Sequence, residues 1–149
     1  MNHCLQIVRG DISRSQVDVV VNAADPSLLG GGGVDGALHR AAGPDLRKEC
    51  QKLGGCAVGQ VKVMKAYRLP AKWIIHTVGP VWEGGFYGEY NKLANCYRSC
   101  LRVASKLGAR GIAFPSISTG YYWFPVERAA RIALKEILAF IEVSSKPAY

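Results

Sequence analysis

Asn22-Ala-Ala-Asp-Pro-Ser-Leu-Leu-Gly-Gly-Gly-Gly-Val-Asp-Gly36 is the stretch on which the reading of this chain turns. Glycine carries no Cβ, so the run Gly30–Gly33 leaves backbone N–H groups bare. The β-branched run Val17-Asp-Val-Val-Val21 precedes it and an apolar, alanine-rich segment follows. A strand therefore hands over to a helix here, and bare amides at a helix start suit phosphate. Asp25 and Asp35 bracket the glycines. Acid beside a phosphate cradle points to chemistry, or to a ribose contact, as well as to binding.

Outward from this stretch, strands and helices alternate. Leu5-Gln-Ile-Val8 reads as a first strand stopped by Gly10, and residues 17–21 as a second, continuous enough to be buried on both faces. Val34–Ala42 and Pro44–Leu53 read as helices parted at Gly43-Pro44. Val61–Met64 and Trp73–Val78 read as further strands, and Gly111–Phe114 as a fifth. Leu93, Tyr97, Cys100 or Leu101 and Ala104 recur at helical spacing between Tyr90 and Leu107, which Gly108 ends. A last helix starts at Pro125, with Glu127 favouring the dipole and an apolar face through Val126, Ala130, Ala133, Ile137 and Ile141. The alternation predicts an α/β sandwich with a mostly parallel sheet. Ligands in such sheets sit beyond the carboxyl ends of the strands. The loops 25–36 and 116–124 both start there, which places them on one rim.

A chain of 149 residues suits a single domain with a real core. No apolar run approaches the ~20 residues of a membrane helix, and the start lacks the basic and apolar regions of a secretory signal. Five cysteines (Cys4, Cys50, Cys56, Cys96, Cys100), with no Cys-x-x-Cys, read as reduced thiols of a cytosolic or nuclear-type compartment. Cys96 and Cys100 stand four apart on a helix, a spacing open to a metal pair but better suited to small buried groups. A net charge of +8 favours polyanions: nucleotide, ADP-ribose or, more weakly, nucleic acid.

Gly31-x-Gly33-x-x-Gly36 meets the dinucleotide pattern, but it starts nine residues past Asn22 and no strand-ending acid follows about 20 residues on. A Walker A loop, a nucleophile elbow and a His-Glu-x-x-His are all absent. His39 and His76 read as packed or surface histidines, with nothing in the sequence to orient them.

The chain resembles the macro domain family, specifically its MacroD-type hydrolase branch. The matching pieces are Val8–Ile12, Val17–Ala24, Leu29–Ala37, His39–Gly43, Leu69–Lys72, Ile75–Pro80 and Phe114–Gly120, in the family's order. The resemblance implies a three-layer α/β/α sandwich with a mixed, mostly parallel central sheet. It implies binding of ADP-ribose and hydrolysis of mono-ADP-ribose from modified proteins, with deacetylation of O-acetyl-ADP-ribose as a second activity. No metal or other cofactor is implied. Asp11 would accept from the adenine amino group with Ile12 against the ring. Gly31, Gly32, Gly33 and Val34 would wrap the diphosphate and distal ribose. Ser118, Thr119 and Gly120 would close from the other side, with Tyr121 next to them and Tyr122 lining the distal-ribose end. Asp35 would position or activate a water at the anomeric carbon, Asn22 would fix the floor, and Asp25 is a candidate base.

Three departures bear on function. Asn22-Ala-Ala-Asp25 stands where the family has Asn-Ala-Ala-Asn, so an acceptor-only carboxylate replaces an amide beside Asp35. Two acids that close raise one carboxyl's pKa or weaken binding, and a module that binds ADP-ribose with little turnover is the alternative reading. Trp123 replaces a loop glycine, where an indole strains the loop, fills part of the cleft, stacks on a ribose or faces solvent. The sequence stops at Tyr149, after the last helix and a Ser-Ser-Lys-Pro segment. Residues 1–149 therefore read as one domain shortened by its C-terminal strand, leaving a gap between the first and fifth strands or forcing them to pair.

Overall fold

Val19, Val20 and Val21 are buried on both faces of the central sheet, which is where a continuous β-branched run belongs. In the computed structural model, which describes residues 3–144, they form β1 (Val19–Ala23). β1 runs parallel to β3 (Trp73–Thr77) on one side and to β4 (Ile112–Ala113) on the other. β2 (Val61–Lys65) adds antiparallel to β3, giving the order β2-β3-β1-β4. The sheet is mixed and mostly parallel, as expected.

Alternate side chains feed two cores. Val20, Ile74 and Val78 meet Leu38, Leu46 and Cys50 of α1 (Gly33–Ala42) and α2 (Pro44–Leu53). Val19, Val21 and Ile75 meet Leu93, Cys96, Tyr97, Cys100 and Ala129 of α3 (Glu89–Lys106) and α4 (Val126–Ser144). The result is the three-layer α/β/α sandwich. Cys96 and Cys100 lie inside the second core, where burial raises both thiols.

Three expectations need correction. Leu5–Val8 forms no strand; Ile7 and Val8 stand exposed. A strand requires a partner edge for its backbone groups, and the open outer edge of β4, at the side of the sheet, offers only two residues to pair with. Of the two outcomes foreseen beside the fifth strand, direct pairing does not occur. Among the described residues no strand follows β4, and Ser145–Tyr149, including most of the Ser-Ser-Lys-Pro segment, lie outside them. A 3₁₀ turn, Ile12–Arg14, follows Gly10 instead. Finally, the inner face of α4 runs through Ala129, Ile132, Ala133 and Ile137, while Val126 and Ala130 point outward. Three helical residues sweep only about 300°, so spacing alone leaves the buried stripe one position uncertain.

Candidate active site at the carboxyl rim of the sheet

Asn22 near the end of β1 and Asp35 in the first turn of α1 meet in the interior. The Asn22 Nδ2 donates to Asp35 Oδ1 at 2.8 Å. The same nitrogen lies 3.1 Å from His76 Nδ1, its register partner on β3. Burial lowers His76 to about 4, so the ring is neutral and its Nδ1 accepts the second amide proton. Its Nε2 then faces the Cys50 Sγ, 3.6 Å away. His39, one turn after Asp35 on α1, brings its Nε2 to 3.4 Å from Asp35 Oδ1 and stacks on His76 with centroids 6.1 Å apart.

Asn22 and His39 thus both engage Asp35 Oδ1, while its Oδ2 is buried and makes no hydrogen bond. Burial pushes its carboxyl above the usual range, opposed by the Asn22 bond and the His39 charge; the Asp25 charge adds least. A raised carboxyl beside a second acid was expected from like charges. The direction holds, but desolvation is the main cause. Both histidines belong to this cluster, against the expectation that nothing orients them. The i,i+4 spacing of Asp35 and His39 was readable as one helix face; the Asn22–His76 pairing depends on strand register and was not.

The glycine loop lies directly over these groups. A Cβ on Gly31 would stand 3.4 Å from Asp25 Oδ2 and 3.5 Å from Asp35 Oδ2, so both carboxylates face this backbone. Gly33 adopts φ +61°, a left-handed turn that glycine enters freely. Asp25 is half-buried, and its Oδ1 accepts from the Ser27 and Leu28 N–H groups at 2.8 and 3.2 Å. One oxygen of Asp25 therefore caps its own turn, and only the other faces the site.

The second loop meets the first as predicted. The Tyr121 ring packs on Gly32, where a Cβ would come within 2.9 Å of it. Tyr122 is half-buried, and its phenol is raised by burial and then by the charges of Asp25 and Asp35. Ser118 is buried with its Oγ unpartnered, against Gly79. Thr119 turns its hydroxyl onto Ser116 Oγ at 2.7 Å, and a Cβ on Gly120 would have nothing within 4 Å. Val34 and Ile12 pack side chains against the first core, so any ligand contact falls to their backbones. Asp11 is exposed and caps the 3₁₀ turn by accepting from the Ser13 N–H at 3.0 Å. A hollow of about 490 Å³ lies at the other rim beside Asp18, whose carboxylate already takes the Arg110 N–H at 2.7 Å.

A family model for the macro domain matches residues 21–133, the span that holds Asn22, both rim loops and β2 to β4. The chain belongs to the macro domain family. This macro domain is 57% identical over 141 residues to a macro domain-containing protein of Chlorobaculum tepidum, covering 93% of this chain and 82% of that protein. It is 52% identical over 135 residues to the protein named ADP-ribose glycohydrolase MACROD2 of Xenopus laevis, covering 90% of this chain and 32% of that protein. A solved macrodomain of Trypanosoma brucei in complex with ADP-ribose aligns with a TM-score of 0.85 at 48% identity, over 91% of this chain and 56% of that one. The macro domain fold thus carries its buried Asn22–Asp35 pair at the carboxyl ends of β1 and β3, under the glycine loop.

Proposed function

We propose that this macro domain binds ADP-ribose along its rim and hydrolyses the bond between the distal ribose and a modified protein side chain, without a metal. The carrying observation is Asp35: one carboxylate oxygen is fixed by Asn22 while the other is buried, unbonded and set against Gly31. A carboxylate whose pKa is raised by burial is a stronger base than an exposed one, and its free oxygen suits holding a water. That water attacks the anomeric carbon, and the bond to the acceptor oxygen breaks. The acceptor leaves as a carboxylate with the bonding pair, and the water's proton passes through Asp35 to solvent. The amides of Gly31, Gly32, Gly33 and Val34, facing Ser118, Thr119 and Gly120, suit the diphosphate. Asp11 and Ile12 take the adenine end, and Tyr121 and Tyr122 the distal end. In the second reaction, on O-acetyl-ADP-ribose, a water held by Asp35 attacks the acetyl carbonyl carbon, the acyl C–O bond breaks, and acetate leaves while the ribose oxygen takes up a proton as its hydroxyl.

Asp35→Asn keeps the acceptor for Asn22 but loses the base. It lowers release of ADP-ribose from a mono-ADP-ribosylated protein by about 100-fold or more, with ADP-ribose affinity held within a few-fold by calorimetry. Gly120→Glu puts a carboxylate into open space beside the diphosphate path and abolishes binding while the fold stands. Wild-type release by Asp35→Asn removes Asp35 from the reaction.

A second reading, a binding module with little turnover, is favoured by Asp25. Its Oδ2 lies beside Asp35 Oδ2 across Gly31, placing two acids where a diphosphate sugar is to sit. Asp25→Asn separates the two: turnover rises if the acid impairs the site and falls if Asp25 takes part in proton transfer.

A further inference from the structure

Trp123 is a costly residue that the hydrolase reading leaves unexplained. Trp123 has φ +60°, a left-handed backbone that side chains other than glycine enter at a cost. The backbone has no freedom to relax. The Trp123 N–H bonds the Gly120 carbonyl at 3.1 Å, the Phe124 N–H bonds Ser118 at 3.0 Å, and the Trp82 N–H bonds Tyr122 at 2.8 Å. Phe124 is buried against Trp82 and Tyr90, with ring centroids 4.9 and 5.9 Å away. The turn is imposed on whatever residue stands at 123.

Strain of this kind persists where something offsets it. Leu28, at φ +63°, is fully buried in the first core, Ser118, at φ +66°, is buried beside Gly79, and Tyr67, at φ +53°, is 37% exposed, about half as much as Trp123. Trp123 has no such return: its side chain is 77% exposed, with no hydrogen bond and no ring contact to another described residue. A large indole carried into solvent on a fixed, strained backbone suits contact with another molecule.

Its position says which molecule. The preceding residue, Tyr122, feels the charges of both Asp25 and Asp35, and Tyr121 lies on Gly32. Residue 123 therefore stands just outside the acid end of the trough, where the group attached to the distal ribose must emerge. Val81, next to the Trp82 whose N–H bonds Tyr122, and Val126, three residues on from Trp123, are exposed as well. Arg128, stacked 5.6 Å from the Trp82 ring, adds a cation that suits backbone carbonyls and acidic side chains.

Resting on the hydrolase reading, we infer that Trp123 is a specificity residue that contacts the polypeptide segment carrying ADP-ribose and does not contact ADP-ribose itself. The test compares wild type with Trp123→Gly, which relieves the backbone, and Trp123→Tyr, which keeps an aromatic ring. The probes are a mono-ADP-ribosylated peptide and free ADP-ribose. For Trp123→Gly, peptide affinity and KM worsen by about tenfold, free ADP-ribose binds as in wild type, and Tm holds or rises by a few degrees. Trp123→Tyr recovers most of the peptide affinity. Equal loss on both probes places the indole in the nucleotide site, a Tm drop of more than about 5 °C assigns it to the fold, and no loss on the peptide removes the contact; each overturns the inference. If wild type binds the ADP-ribosylated peptide without releasing ADP-ribose, the hydrolase reading fails, and the peptide affinities still decide Trp123.

Discussion

Gly36 shows how tightly single residues set the rim. A Cβ there would stand 2.4 Å from the Gly31 carbonyl oxygen, which is backbone and cannot swing aside. Gly36→Ala therefore pushes the glycine loop off α1, at a cost of about 1–3 kcal/mol in urea unfolding, and weakens ADP-ribose binding in calorimetry. Gly120 is the opposite case: nothing lies within 4 Å of its Cβ position, so Gly120→Ala leaves the urea midpoint near wild type. An equal midpoint loss for both variants contradicts this account of the loop. The two glycines look alike in the sequence and differ only in what folds against them.

At the scale of elements, Glu89 at the start of α3 organises the segment before it. Its carboxylate accepts from the N–H groups of Glu83, Gly85 and Tyr87. Burial pushes the carboxyl up, but these bonds outweigh it and hold the pKa below the usual value. Glu89→Gln loosens the loop under Trp82, and hydrogen exchange at residues 83, 85 and 87 accelerates by about tenfold or more, with β1 unchanged. Residues 5–8 make the complementary case. They are apolar and β-prone, yet unpaired, so their amides exchange close to the rate of a free peptide while Val19–Ala23 stays protected. Protection of residues 5–8 in dilute monomer contradicts the sheet order described above. Apolar, β-branched composition marked both segments as strands; only one found a partner on each side.

The whole molecule registers its buried cluster as a pH dependence. His76 is lowered from 6.5 to about 4, so the unfolded chain takes its proton first. The stability this contributes is complete above pH 6.5, falls away as pH drops toward 4, and amounts to about 3 kcal/mol. Asp35 has the opposite sign: its raised carboxyl favours the folded state when protonated, a contribution lost as pH rises through the folded pKa. Asp11 and Glu89, both lowered, lose stability with acid as His76 does. The difference between wild type and His76→Gln therefore isolates the histidine: Tm of the variant falls less steeply between pH 6.5 and pH 4. Parallel curves exclude a neutral buried His76. Much of this architecture was readable along the chain. Valine runs, the helix start at the glycines and the four-residue step from Asp35 to His39 are local, and local sterics and periodicity set them. The register that puts His76 beside Asn22, the seat of Tyr121 on Gly32 and the failure of Leu5–Val8 to join the sheet were decided only by tertiary structure. Each depends on which distant backbone supplies a partner, and no residue carries that information by itself.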